Sequence, residues 1–438
     1  MKAYFYTMGC KVNQYETQAM MALLRKKGYE TAVYHRDAPA EAGAVIVLQS
    51  CTVTGESDRK VRQVLRRIRR ENPAGITVLT GCMPQAFPEA GAALLEADIV
   101  LGNAARAALP EAIDRFLATR ERVVDIPPHD KTVEPLCIED FEERTRAFVK
   151  VEDGCDRFCS YCIIPYARGR VRSRATDDIA AELEGLVARG YREAVLVGIN
   201  LTSYGKDTGG TLADAVDAAC GVEGLTHVRL GSLEPDHMTD ELIARLKAQP
   251  KLCEQFHVAL QSGCDATLRR MNRHYDTAQF EAVCRKLQAA FPQCSLTTDV
   301  MVGFPGETEE EFTQSLEFVK RIGFSKVHVF PYSPREGTRA AVMDGQISTA
   351  EKTARAARMT AVCEEVRRGV LEAAVGTVQE VLCETRTDEG HTLGYTRGYL
   401  PCRIDEAVEA GQTVRVTIYK AENDRLWARL LKNEEETL

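Results

Sequence analysis

The chain has 438 residues, 45% hydrophobic and 27% charged, an ordinary composition for a soluble globular protein of two or three domains. Its formal net charge of −8 argues against coating nucleic acid by bulk charge and leaves only local basic patches for that purpose. No apolar run approaches the ~20 residues that span a bilayer, and Met1 to Thr7 lack the apolar core of a signal peptide. A cytoplasmic protein with no membrane partner is therefore expected. There are fifteen cysteines. Disulfides explain them poorly in an unexported chain, so any clustered subset reads as metal ligands or catalysts.

In chain order, Ala3 to Met8 reads as a strand, Asn13 to Lys27 as an amphipathic helix, and Ala44 to Leu48 as a buried parallel strand. Asp58 to Glu71 reads as a helix rich in Arg and Lys with few acids, and Ile76 to Thr80 as a third strand. Repeated strand–helix units imply a parallel sheet flanked by helices. Residues 105 to 145 are less regular and contain Pro127 and Pro128, as a connection would. Six strands follow, at Phe148–Glu152, Ala194–Gly198, His227–Gly231, Phe256–Leu260, Ser295–Val302 and Lys326–Phe330. Helices such as Asp177–Arg189 and Glu309–Arg321 separate them. Such a series predicts a partial (βα)6 barrel with its site at the C-terminal strand ends. From about Gly376, short alternating runs such as Thr377–Leu382 and Gln412–Tyr419 predict a small all-β module.

Directly after the first strand of that series stand Cys155, Cys159 and Cys162, spaced C-x3-C-x2-C. Three thiolates this close can hold three irons of a [4Fe–4S] cluster and leave the fourth open. A zinc site would more usually present paired C-x2-C knuckles and four ligands. Phe158 and Tyr161, between the cysteines, are placed to shield a cluster from water. Cys10, Cys51 and Cys82 each end an apolar strand. In a parallel sheet those ends share one edge, where ligands gather, so the three thiols are expected to converge; three unrelated buried thiols are the alternative.

The first motif resembles the radical S-adenosylmethionine (SAM) superfamily. The two cysteine sets together resemble the methylthiotransferase family, over nearly the whole chain. Met8 to Glu16, with Lys11-Val12-Asn13-Gln14-Tyr15-Glu16 after the cysteine, is similar to the subgroup acting on N6-threonylcarbamoyladenosine in tRNA. The isopentenyladenosine and ribosomal-protein branches differ at that place. Ser50 to Thr54, Gly81 to Gln85, Leu260 to Asp265 and Thr298 to Thr308 fit other family blocks; Gly231 departs, since Ser is expected there. The terminal module resembles the TRAM domain, an RNA-binding β-barrel. The resemblance implies an α/β chain with an N-terminal methylthiotransferase domain (1–115), a radical SAM core (141–371) and a TRAM domain (374–438).

The implied cofactors are two [4Fe–4S] clusters, on Cys10, Cys51 and Cys82 and on Cys155, Cys159 and Cys162, together with SAM. The implied reaction exchanges the C2 hydrogen of the adenine for a methylthio group. A sulfur source, a flavodoxin- or ferredoxin-type electron donor and a monomeric enzyme are implied with it. An aromatic C–H bond has no acidic proton at neutral pH, so acid–base catalysis alone is inadequate and radical chemistry is the physical reason for the clusters. The same chemistry on isopentenyladenosine tRNA or a ribosomal protein, and a non-catalytic iron–sulfur RNA-binding protein, are the alternatives. Asn200, Glu234, Gln261 and Asp299 lie at strand ends, where each can meet SAM or serve its own loop. Among the basic residues of 59–70, Arg66 and Arg67 are expected to meet RNA phosphate. Arg168, Arg170, Arg172 and Arg174 alternate, so an extended segment would put them on one face, with Arg170 and Arg172 toward RNA. Arg397 and Tyr399 are the expected RNA contacts of the terminal module, to phosphate and to a base.

Overall fold

The computed structural model describes residues 1–35, 37–38, 40–131, 133–139 and 146–431. The expected boundary at residue 141 and residues 432–438 lie outside the described residues. The chain forms two compact units. One comprises Met1–Gly190, Leu196–Val222 and Ser333–Val342; the other comprises Tyr191–Val195, Glu223–Tyr332 and Met343–Leu438.

The first unit is built on a six-stranded sheet. Its strands are β1 (Lys2–Thr7), β2 (Glu30–Val33), β3 (Val45–Ser50), β4 (Ile76–Gly81), β5 (Ile99–Leu101) and β6 (Val123–Asp125), in the order β2-β1-β3-β4-β5-β6. All five pairings are parallel. Every residue of β3 and β4 is buried, because helices cover both faces; one face packs Met20, Leu24 and Ile113, the other Val61, Leu65 and Ile68. Each fully buried Val, Leu or Ile contributes roughly 1.5–3 kcal/mol. Helix α1 (Lys11–Lys26) follows β1, with Cys10 at its N-cap and no side-chain cap bond. Helix α2 (Gly55–Glu71) follows β3; the Thr54 hydroxyl accepts from the Ser57 N–H at 3.1 Å, and Glu56 and Asp58 suit its first turn.

In the second unit, Ser232–Leu233, Gln255–Val258, Ser295–Val302 and Lys326–Pro331 form a parallel sheet in that order. A helix over Thr349–Ala373 then leads to a closed five-stranded barrel. The barrel core holds Val381, Ile404, Val416, Ile418 and Leu426, with Cys383 and Cys402 among them as small apolar residues. Within this unit the barrel is fastened to the starts of the parallel strands. Arg229, 2% exposed, donates to Glu193 at 2.8 Å and to the carbonyls of Thr396 (3.1 Å) and Arg397 (2.7 Å). Arg397 in turn donates to the carbonyls of Pro250 (2.8 Å) and Leu252 (2.6 Å).

The expected architecture is present: a parallel α/β N-terminal region, a central βα series and a small β-barrel. Ser295–Val302 is found residue for residue. In the first sheet three strands were not expected: Glu30–Val33, and the short Ile99–Leu101 and Val123–Asp125, which extend it from three strands to six. The segment read as irregular contains the helix Leu109–Thr119.

Candidate cluster-binding site

The C-terminal ends of β1, β3 and β4 are adjacent in the sheet, and their exits carry Cys10, Cys51 and Cys82. The loops are tied together by Asn13 in the first turn of α1. Its amide nitrogen donates to the carbonyls of Met8 (2.8 Å) and Ser50 (3.1 Å), while its oxygen lies 3.6 Å from the Cys10 sulfur. Gly9 has φ +114°, and a Cβ there would lie 3.1 Å from the Cβ of Cys51. Gly81 has φ +105°, and its Cβ would lie 2.5 Å from the Ser50 carbonyl. Both positions need glycine because the cysteine loops approach so closely. The Asn103 amide reaches the Cys82 sulfur at 3.6 Å and the Ala167 carbonyl at 2.8 Å. Burial pushes the Cys51 thiol up to about 11, the neighbouring Cys82 and Cys10 push the same way, and Arg168 opposes them. At neutral pH such a thiol loses its proton only to a metal.

The second cysteine set lies in the same unit. Cys155 N–H donates to the Gly169 carbonyl at 3.0 Å, and Cys162 N–H to the Cys159 carbonyl at 2.9 Å. Gly154 has φ +88°, and a Cβ there would lie 1.9 Å from the Arg170 carbonyl, so only glycine lets residues 167–170 lie against this loop. The Asn200 amide reaches the Cys155 sulfur at 3.8 Å, and its backbone N–H is held by buried Glu152 at 2.9 Å. Among the described residues, the group of His, Cys, Asp and Glu side chains tight enough for one small ion is His257, Asp299 and His328, within 4.8 Å of one another. Soft thiol donors in threes, with amide N–H groups beside the sulfurs, fit iron–sulfur clusters.

A buried ionic hub joins the two sets. Arg168, 1% exposed, donates to Glu16 (2.6 and 3.0 Å), Asp153 (3.2 Å) and Asn13 (2.7 Å). Lys150 bonds both Glu16 and Asp153 at 3.1 Å, and Arg106 pairs with Glu16. Burial would raise the Glu16 carboxyl, but Arg106, Arg168 and Lys150 outweigh it and hold it down to about 2. The sequence reading missed this hub; the one available signal was the spacing of Asn13 and Glu16, which places both on one face of a helix.

Of the four strand-end residues expected near SAM, Asn200 meets a cysteine of the C-x3-C-x2-C set. Gln261 has φ +65°, its backbone locked by bonds of 2.9 Å to Asp299 and Met301. The carboxylate of Glu234 pairs with Arg273, and that of Asp299 with His257 at 3.2 Å.

The arginines require corrections. Arg168, Arg172 and Arg174 are buried, so the alternating run presents no common exposed face; Arg168 ends a short helix, and its charge and those of Arg172 and Arg174 meet Asp153 and Glu182. Only Arg170 is open, with its side chain 74% exposed. The basic helix α2 does have compensating acids, several of them from elsewhere in the chain. Arg59 pairs with Glu56, Arg66 with Glu96 and Arg69 with Asp98. Arg66 remains 69% exposed, and Arg67 only 24%. Tyr399 is stacked on Tyr395 at 4.5 Å with Arg229 over its ring, and the Arg397 guanidinium holds two carbonyls.

No helix among the described residues is long and apolar enough to cross a membrane. Family models match in three places: the "Radical SAM superfamily" over residues 149–319, the "Uncharacterized protein family UPF0004" over 2–102 and the "TRAM domain" over 372–431. The chain is 36% identical to the threonylcarbamoyladenosine tRNA methylthiotransferase MtaB of Bacillus subtilis, over 98% of this chain and 97% of that one. It is 34% identical to a tRNA-2-methylthio-N(6)-dimethylallyladenosine synthase of Clostridium botulinum, over 95% and 94%. Among solved structures it is similar in fold to the radical SAM methyltransferase TsrM of Kitasatospora setae, with TM-score 0.56 and 14% identity over 90% of this chain and 77% of that one. With both cysteine sets in place, and with that identity over almost its whole length, the chain belongs to the radical SAM methylthiotransferase family.

Proposed function

We propose that this chain converts N6-threonylcarbamoyladenosine beside the anticodon of tRNA to its 2-methylthio derivative. The observation that carries the proposal is the union of two cysteine triplets in one unit, and three thiolates on a [4Fe–4S] cluster would leave one iron without a protein ligand. In this reading Cys10, Cys51 and Cys82 hold one [4Fe–4S] cluster and Cys155, Cys159 and Cys162 the other. When bound, these clusters and SAM supply the radical cleavage and sulfur chemistry that an unactivated aromatic C–H bond requires.

The chain's own residues do the rest. Asn13, Asn103 and Arg168 hold the three N-terminal loops in register. Glu152 fixes the backbone of Asn200, whose amide is placed beside Cys155 to meet SAM or tune the sulfur. Arg66 and Arg170 are open enough to take phosphates. A flavodoxin- or ferredoxin-type reductant and an external sulfur source are proposed partners, and the monomer the working unit. The proposed domain limits are 1–115, 141–371 and 374–438; the matches at 2–102 and 149–319 fall inside the first two, and the match at 372–431 begins two residues before the third.

Tyr15 and Glu16 are buried in the hub, so the Lys11–Glu16 motif marks the subgroup without supplying a substrate contact of its own from those side chains. The subgroup assignment therefore rests on resemblance, and the 34% identity to a dimethylallyladenosine-modifying relative supports a second reading with that substrate. Reduced, reconstituted enzyme given SAM, a sulfide source and each of the two modified tRNAs separates them. Methylthiolation of the threonylcarbamoyl form alone is expected; methylthiolation of only the dimethylallyl form selects the second reading, and of neither rejects both.

A further inference from the structure

Beside the C-x3-C-x2-C loop, and wholly within the first unit, is a cavity of about 640 Å³ whose lining includes Lys131, Tyr166, Arg170 and Arg172 together with the acids Asp130 and Asp207. Three features set it apart. Tyr166 stands four residues after Cys162 with 57% of its surface exposed, edge-on at 6.0 Å to Phe158, which is itself 39% exposed and lies between Cys155 and Cys159. Solvent exposure of two neighbouring aromatic rings has no value for folding and fits a stacking surface. Arg170 lies over the Phe158 ring at 5.1 Å and pairs with Asp156 at 3.2 Å, with 74% of its side chain exposed.

The second feature is the cavity wall. Arg172 has 7% of its side chain exposed, its Nε is buried without a hydrogen-bond partner, and its nearest carboxylate, Asp153, is 3.7 Å away. Arg172 meets the cavity with the small exposed remainder of its side chain, and a guanidinium is the group that suits a phosphate oxygen. Gly169, at φ +72°, lets this arginine and His129 come together, since a Cβ there would lie 3.0 Å from Arg172 Nη1 and 3.1 Å from His129 Cβ.

The third feature is charge. Asp207 is taken up by Ser173, at 2.6 Å from the hydroxyl and 3.0 Å from the N–H, and Asp130 by the Lys131 N–H at 2.6 Å. Counted over the lining residues alone, Lys131, Arg170 and Arg172 exceed these two acids by one positive charge, while Asp156 and Asp153, outside the lining, face Arg170 and Arg172.

We infer that this pocket binds one nucleotide of the RNA substrate next to the reacting adenosine, its phosphate held by Lys131, Arg170 and Arg172 and its base stacked on Tyr166. The inference rests on the RNA-substrate reading above. An acidic protein reductant would use the same cations but has no need of the exposed tyrosine, and so is the weaker occupant.

The test uses the full-length, anaerobically reconstituted enzyme and a fluorescent anticodon stem-loop carrying threonylcarbamoyladenosine, titrated across a salt series. Tyr166→Ala is expected to weaken binding about tenfold or more, the worth of one base–aromatic stack, with the salt slope unchanged and Tyr166→Phe restoring affinity. Lys131→Ala is expected to flatten the salt slope by roughly 0.7–0.9, one phosphate contact. Wild-type affinity and slope in both alanine variants overturn the inference while the RNA reading stands. So does a Lys131→Ala variant that binds RNA normally but is reduced more slowly by flavodoxin, which assigns the pocket to the reductant. A wild-type enzyme that does not bind the stem-loop overturns the RNA reading itself.

Discussion

Replacing Glu16 by Gln removes the anion on which three buried cations converge. The Glu16 carboxylate accepts from Arg168 at 2.6 and 3.0 Å, from Lys150 at 3.1 Å and from Gln49 at 3.0 Å, and it pairs with Arg106. Arg106, Lys150 and Arg168 are each 1% exposed, so water cannot replace the lost charge. Burial raises this carboxyl and the three cations lower it further, from 4.5 to about 2. That gap, about 2.5 pH units at ~1.36 kcal/mol each, is worth ~3 kcal/mol. Breaking one side of a buried ion pair independently suggests about 3–5 kcal/mol. Two units make a single melting curve hard to interpret, so the assay is native-state hydrogen exchange of the α1 amides, which measures the local opening free energy. Glu16→Gln is expected to speed their exchange about a hundredfold or more, since each 1.4 kcal/mol is a factor of ten. The pH sign follows from the depressed carboxyl: the stabilisation is fully present above about 4.5 and is lost as pH falls toward 2, and the variant lacks that slope. Exchange within about threefold of wild type, with the same pH slope, would refute the claim that the hub holds the N-terminal cysteine loops together.

Cys155→Ala, Cys159→Ala or Cys162→Ala is expected to remove about half of the reconstituted iron and all reductive cleavage of SAM to 5′-deoxyadenosine, whereas Cys10→Ala, Cys51→Ala or Cys82→Ala removes the other half and leaves SAM cleavage; iron assay and chromatography read both. Gly154→Ala drives a Cβ to 1.9 Å from the Arg170 carbonyl at φ +88°, and at roughly 1–3 kcal/mol for the backbone alone it should lower iron loading at the C-x3-C-x2-C loop, seen in the iron count. Arg229→Met leaves Glu193 buried and frees two barrel carbonyls, so about 3–5 kcal/mol of docking is lost and limited proteolysis should cut near Gly376 well before it does in the wild type.

Much of the fold was legible because its strands are short apolar runs between helices of clear period, as in β3, β4 and Ser295–Val302. Ile99–Leu101 and Val123–Asp125 are three residues each, too short to carry a periodic signal, and only the sheet edge they extend defines them as strands. The cysteines were legible for a different reason: each stands just past an apolar strand, and parallel pairing brings such positions together without any long-range knowledge. The arginines were not legible. Alternation of Arg168, Arg170, Arg172 and Arg174 predicts one face only if the segment is a regular strand, and here a short helix ends at Arg168 and Gly169 turns the chain at φ +72°. Their partners Glu16 and Glu182, like Glu96 and Asp98 for α2, come from other parts of the chain, so local sequence shows the cations and hides the acids. Arg397 is the same case within the second unit, its guanidinium on carbonyls near residue 250.

The central claim is that two cysteine triplets in one α/β unit serve methylthiolation of a tRNA adenosine carrying a threonylcarbamoyl group. Its most direct test is mass spectrometry of nucleosides from tRNA of cells with the gene, without it, and with Cys82→Ala in its place. Disappearance of 2-methylthio-N6-threonylcarbamoyladenosine in the last two, with its unmethylthiolated precursor accumulating, is the predicted result. An unchanged level of that nucleoside in cells lacking the gene would contradict it.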